Sequence, residues 1–416
     1  RASRNGSDGI SFIQTAEGAL AEVESMLQRC RELSVQASND VTTLDDKEAI
    51  QQEIEALMSE IDRLATDTEF NTKSILDGTC CRQTSSSNTG VSLISMTDDV
   101  ALTTYSLTVT QASTKTNVTT GSLGMGEKDK FTKDGKVQIN GQTIEIEQGE
   151  TLEEAYAKIR DCCESMNIDV LPVNGKDANG NPKEVALSGA TSLYFESKIY
   201  GASRNIKITT DDPELATKLG INGAVITQGK DAIVFLDTDS GFTKTATTFI
   251  DGNRVTVSDR GGFEMIFNVA GAEAGMDADV TVLDAGFVAI QIGSNEGQSI
   301  DISIPAVTCE SLNINYCNVC TFDGAQESIT LFDEAISQVS AVRAKLGAYE
   351  NRLDSATTSL DTTSQNLTEA CSRIEDVDMA AEMTEYTQLT VLSQAGTSML
   401  AQANNRPQTI LQLLQG

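Results

Sequence analysis

Between residues 10 and 38, Ile13, Ala16, Leu20, Val23, Leu27 and Cys30 recur at alternating spacings of three and four. Such a repeat puts all six on one line along a helix, and that line must be covered by another long helix. Phe12, Ala19, Met26 and Leu33 form a second line beside it, seven residues apart. Two adjacent apolar lines belong to a helix with neighbours on more than one side, as in a bundle. Leu33 closes the second line. Its position predicts a place at the rim of the packed face, outside the core, with Gln28, Arg29, Glu32 and Gln36 around it on the polar side.

The same signature returns elsewhere. Thr43 to Asp46 reads as a capping box opening a second helix, whose apolar set is Ile50, Ile54, Leu57, Ile61 and Leu64. With so short a connection, near Ser38-Asn39-Asp40, the two helices should pack antiparallel. A very long helix is predicted from about Glu327 to Val377. Its seam runs through Phe332, Ile336, Val339, Val342, Leu346, Tyr349 and Leu353, then Ala356, Leu360, Leu367, Ala370 and Ile374. At the rise of an α-helix it would be on the order of 70 Å long. Residues 383–414 form a last amphipathic segment with Tyr386, Leu389, Leu392, Met399, Leu400, Ile410, Leu411, Leu413 and Leu414, and Pro407 is expected to break or kink it. Residues 1–9, polar and glycine-containing, read as a connection.

Between these helical ends the pattern changes. Residues 82–90 read as a Ser/Thr-rich linker. Beyond it, β-branched residues alternate with polar ones: Tyr105, Leu107 and Val109 point one way, and Val137, Ile139, Ile144 and Ile146 flank the hairpin signal Asn140-Gly141. One helix, residues 151–166, interrupts. Strands are expected around 192–196, 206–209, 233–236, 248–250, 255–257 and 263–269, and a further hairpin at 287–304 turns on GSNEG. The expected fold is multidomain α + β: a long antiparallel helical rod built from both chain ends, with a mostly β outer region inserted in it. The boundaries are 1–79 for the N-terminal rod helices, 80–286 for the insertion, 287–322 for the rod hairpin and connection, 323–377 for the C-terminal rod helix and 378–416 for a C-terminal inner-core helix.

Composition narrows the function. The 416 residues carry 61 acidic and 30 basic side chains, a net charge of −31, with no basic cluster. That argues against nucleic acid, since phosphate binding needs grouped Lys and Arg. No apolar run is long enough to cross a bilayer. Histidine is absent, which removes the Ser-His-Asp triad, the Cys-His pair and the HExxH zinc site. We expect no enzyme and no cofactor. Of nine cysteines, Cys30 and Cys371 lie on or near helix seams, where a thiol acts as a small apolar group. Cys317 and Cys320 make a single CxxC with no second pair at zinc-ribbon spacing.

The terminal strings closely resemble bacterial flagellin, the subunit of the flagellar filament. Ala2-Ser3-Arg4-Asn5 with Ser7-Asp8-Gly9-Ile10, then TAEGAL (15–20) and LQRCRELSVQ (27–36), follow in the order the family has them, as do Ile61-Asp62-Arg63 and Glu69-Phe70-Asn71. At the other end stand Leu346-Gly347-Ala348, Asn351-Arg352-Leu353, SRIED (372–376) and QAGTSMLAQAN (394–404). The resemblance covers about the first 80 and last 130 residues. Members of the family carry a further helical leader ahead of this start, so the chain is expected to be a processed or truncated form or only its ordered part. Within the insertion, residues 136–159 are similar to a repeat shared by flagellins, hook-associated proteins and the filament cap.

This resemblance implies a secreted, extracellular structural subunit that polymerises with copies of itself for swimming motility. The partners it implies are an export chaperone, the filament cap and, for the monomer, the host's flagellin-sensing Toll-like receptor; neither nucleic acid nor membrane insertion is implied. Gln28, Arg29, Glu32, Leu33, Gln36 and Glu53 match the family's receptor and protofilament contact positions, and Leu411, Leu413 and Leu414 match its C-terminal inner-core positions, of the inflammasome-recognised type. Two alternatives stay open: a hook–filament junction protein, and a flagellin whose insertion is a glycan or surface adhesion module.

Overall fold

The computed structural model describes every residue except 40, 98, 177–181 and 294. Asp40 of the first interhelical turn and Ser294 of GSNEG therefore lie outside the described residues. Six α-helices are found among the described residues: α1 (Ala2–Ala37), α2 (Leu44–Asp67), α3 (Leu152–Glu164), α4 (Pro213–Lys218), α5 (Phe322–Glu375) and α6 (Met379–Leu414).

The rod is α1, α2 and the first half of α5. Gln14 bonds Glu350 at 2.8 Å, Glu24 pairs with Arg343, and Arg31 meets Asp333 at 2.5 Å. Numbers rise on α1 as they fall on α5, so the two run antiparallel. The contacts Phe12–Phe70, ring centroids 5.7 Å apart, and Arg29–Glu53 set α2 antiparallel to α1 in the same way. The seam predicted for α1 is fully buried, from Ile13 to Cys30. α2 opens on the expected capping box, Thr43 accepting from the Asp46 amide while Asp46 accepts from the Thr43 amide. Gln51 is buried and bonds the backbone of Cys317 and Val319, which ties α2 to the connection before α5.

Several expectations are corrected. Residues 2–9 are helical: α1 begins at Ala2 because Gly6 and Gly9 serve packing, not a turn. A Cβ on Gly6 would sit 2.4 Å from Thr357 Oγ1, and one on Gly9 would lie 3.2 Å from Leu353 and Ile290, so α5 and the hairpin approach where side chains are missing. α5 starts at Phe322, earlier than Glu327, with Thr321 as N-cap accepting from the Gly324 amide at 3.1 Å. Its seam is buried only as far as Leu353; Leu367, Ile374 and Val377 are exposed because no other described element covers them. α6 shares no seam with the rod and has no buried residue. Pro407 does not end it. Ala403, whose carbonyl loses its donor to the proline, is exposed, so water can satisfy it. Leu33 is 2% exposed and belongs to the rod core, so the predicted rim position is wrong. Cys371, expected near a seam, is exposed.

The hairpin at 287–304 forms as strands Val288–Gln291 and Ser299–Ile302, which pair antiparallel and add Ile300, Ile302 and Ile304 to the rod core. The region 80–286 holds two further cores, neither continuous with that of the rod. One lies between two four-stranded antiparallel sheets and is filled by Tyr105, Leu107, Val109, Val255, Val257 and Phe267. The supposed linker contributes an edge strand to it, Thr84–Ser86 paired with Met276–Val282. The other is nested inside the first, between Gln111 and Ile233. Here a five-stranded sheet, the hairpin Gly135–Ile139/Gln142–Ile146 and α3 enclose Val137, Ile139, Ile144, Ile159 and Phe195. The chain enters and leaves it side by side, where Thr114 and Lys230 form a bridge. Gly229 is required there, since a Cβ would lie 2.4 Å from the Gly201 carbonyl oxygen.

Candidate functional site

On α1 and α2 the residues singled out from sequence separate into a surface and its support. Gln28, Arg29, Glu32, Gln36 and Glu53 are all exposed and share one face. Arg29 organises them. Its Nη2 and Nε donate to Glu53 Oε1 at 2.8 and 3.0 Å, and Nη1 reaches Glu32 Oε2 at 3.5 Å. The hydrogen bond to Glu53 raises the guanidinium above its ordinary value, which fixes its charge at any relevant pH. Both partners stay half exposed, so the pair orients the side chains more than it stabilises the fold.

Leu33 does not join this face; it lies beneath it with Cys30, Ala37, Ile50 and Ile54 in the same core. The apolar point of the surface is Val35, 47% exposed, which sequence reasoning missed. Val35 belongs to neither heptad line and stands three residues after Glu32, so its spacing relative to the exposed residues was the signal available. Cys30 faces the seam as expected, fully buried, and burial pushes its thiol up to about 12.

The second surface is much larger. From residue 361 to the C-terminus nearly every position is exposed. Leu411, Leu413 and Leu414 are 57%, 82% and 80% exposed, and Met383, Tyr386, Leu389, Leu392 and Met399 extend the apolar display along α6. Exposed apolar patches much larger than a few hundred Å² mark interaction surfaces in folded proteins. The structure brings this surface and the α1–α2 face to different regions: Arg29 sits opposite Glu53, whereas α6 begins after the uncovered end of α5.

The CxxC cysteines do not make a nucleophilic centre. Cys317 and Cys320 are buried, and burial pushes both thiols up to about 12, the reverse of what a nucleophile needs. No group of three potential metal ligands is found among the described residues. Among the described residues no helix is long and apolar enough to cross a membrane.

Comparison with known proteins agrees with the two helical ends. The pattern described as the bacterial flagellin N-terminal helical region matches residues 1–80, and the one described as the bacterial flagellin C-terminal helical region matches residues 329–414. A flagellin of Clostridium tyrobutyricum is 32% identical over 412 residues, covering 98% of this chain and 84% of that protein. Flagellin D of Vibrio anguillarum is 30% identical over 99% of this chain and 82% of its own length. A flagellin of Salmonella typhimurium is 29% identical over all of this chain and 87% of its own. Among solved structures, FliC from Burkholderia pseudomallei aligns over 83% of this chain and 99% of that one, at 17% identity and a TM-score of 0.27, so the assignment rests on the sequence relatives. With both helical ends matched and the similarity running through the insertion, the chain belongs to the bacterial flagellin family, the structural subunits of the extracellular flagellar filament.

Proposed function

We propose that the end of α5 and all of α6 form the assembly surface through which this subunit polymerises, and that the α1–α2 face serves in contacts between neighbouring rods. One observation carries the reading: a helix of 36 residues without a buried side chain displays a long row of leucines, methionines and a tyrosine. Covering a side chain of this kind contributes about 1.5–3 kcal/mol. A chain of charge −31 repels its own copies, and a row of that size is what offsets the repulsion at short range.

In the monomer the face of Gln28, Arg29, Glu32, Gln36 and Glu53 is open, and we assign it to the host's flagellin-sensing Toll-like receptor, with Val35 as the apolar anchor and Leu33 supporting it from beneath. Leu411, Leu413 and Leu414 are the C-terminal element read by an intracellular sensor of the inflammasome type. The export chaperone and the filament cap act on the exposed terminal helices during delivery and assembly. The test for assembly is Leu389→Glu with Leu392→Glu, followed by light scattering and electron microscopy after seeding with filament fragments. Elongation should stop while the melting of the rod is unchanged; elongation at the normal rate would refute the assignment. For the receptor, Arg29→Ala and Val35→Ala should each weaken binding roughly tenfold or more, and unchanged affinity in both would remove the site.

A further inference from the structure

A cleft of about 970 Å³ opens where the rod, the sandwich core and the nested core meet. That volume is at the upper end of the range for small-molecule sites. Eight of the chain's 22 asparagines line it. Three of them, Asn140, Asn167 and Asn313, have left-handed backbone, which is reason enough for asparagine there. Of the other five, Asn205, Asn253, Asn268 and Asn318 hydrogen-bond to neighbouring parts of the protein through their side chains, which leaves Asn315. Tyr200 and Tyr316 also line the opening, and Tyr316 is 53% exposed.

Charge decides what class of molecule fits. The cations of the lining are Lys47, Arg204, Lys207 and Arg254. They are matched by Asp251, Glu310, Asp323 and Glu327. The cleft is therefore neutral within a protein of charge −31, which favours neither an anion nor a cation. Several of the charges are already engaged: Arg204 pairs with Glu327, and Arg254 donates to the carbonyls of Glu310 and Ser311 at 3.2 and 2.9 Å. These contacts hold the walls together. Of the remaining charges Lys47 and Lys207 offset Asp251 and Asp323, and the rest of the lining is uncharged. The side chains of Asn313 and Asn315 make no hydrogen bond to other described residues, and buried Arg204 Nε has no acceptor.

We propose that this cleft binds a neutral saccharide of one to three rings. Each free amide carries a donor pair and an acceptor on one short plane, which matches hydroxyls that both donate and accept. The ring of Tyr316 supplies a flat apolar wall for the C–H face of a sugar. Asn167 Nδ2 donates to the Tyr316 carbonyl at 3.1 Å and fixes the loop that carries it. The site belongs to the junction of rod and insertion, not to the insertion alone, and is independent of the assembly and receptor surfaces proposed above.

The experiment is calorimetric titration of the full chain with chitotriose and with maltotriose, beside inorganic phosphate and citrate. At least one trisaccharide should saturate at one per chain, with neither anion competing. Asn315→Ala and Tyr316→Ala should each weaken it roughly tenfold or more, and the isosteric Asn315→Asp should do so with unchanged thermal melting. Arg29→Ala, outside the lining, should leave binding as it is. Failure of both trisaccharides to bind overturns the proposal, as does binding that survives the Asn315 and Tyr316 substitutions or is displaced by phosphate.

Discussion

Leu33→Ala separates the packed interior of the rod from its recognition face. Leu33 is 2% exposed in a core shared with Cys30, Ala37, Ile50 and Ile54. Truncation removes about three methylene equivalents, roughly 2.4 kcal/mol at about 0.8 kcal/mol each. A cavity between two long helices that can collapse only partly adds to this, giving a total of about 3–5 kcal/mol. For a cooperative unit of about 150 residues each kcal/mol moves the melting temperature by roughly 2–4 °C. The melting of the variant, followed by helical circular dichroism, should therefore fall by about 6–20 °C. Val35→Ala is the matched control, because Val35 is 47% exposed and makes no part of the core; its effect should stay within about 0.5 kcal/mol. Leu33→Ala melting within a degree or two of the parent, or Val35→Ala melting as early as Leu33→Ala, would refute the placement.

Two further outcomes follow from burial. Burial raises the thiols of Cys30, Cys317 and Cys320 to about 12 and Cys162 to about 11, from an ordinary value near 9, so the folded chain holds protons that the unfolded chain releases. Stability is then fully present below pH 9 and is lost as the pH rises toward 12, which predicts a falling melting temperature from pH 8 to 10.5; a flat profile would contradict it, as would native thiol labelling at pH 8 that modifies Cys30 before exposed Cys371. Replacing residues 82–286 with a short linker should leave the rod's cooperative helical transition intact, because the two cores beyond Cys80 are separate from that of the rod and Gln142, Asn167, Arg204 and Arg254 reach the rod through polar contacts; loss of that transition would mean the parts fold as one.

The rod was legible because a heptad line states its own requirement: Ile13 to Cys30 demanded a partner helix and found α5. Leu33 was misplaced because the line that it ends has two neighbours, α2 as well as α5, and sequence spacing cannot count neighbours. Gly6 and Gly9 misled for a related reason, since glycine at a close helix crossing looks like glycine at a turn until the partner is seen. Hairpins with strong turn chemistry, such as Asn140-Gly141, were visible, whereas edge strands such as Thr84–Ser86 were not, because a polar edge strand and a polar linker share a composition. The nesting of one core within another was hidden altogether: it is set by pairings such as Thr281 with Thr104, far apart in the chain. The asparagine-lined cleft was equally hidden, its residues coming from stretches as distant as Asn140 and Asn315.

The central claim is that the helical C-terminal stretch, residues 354–414, is an assembly surface left uncovered in the single chain. Hydrogen–deuterium exchange of residues 354–414, compared between monomer and filament, tests it directly. In the monomer this stretch should exchange far faster than Ile13–Cys30 of α1, whose seam is fully buried, and in the filament it should become protected to a similar degree while α1 changes little. Strong protection of α6 already in the monomer, or rapid exchange persisting in the filament, would contradict the account.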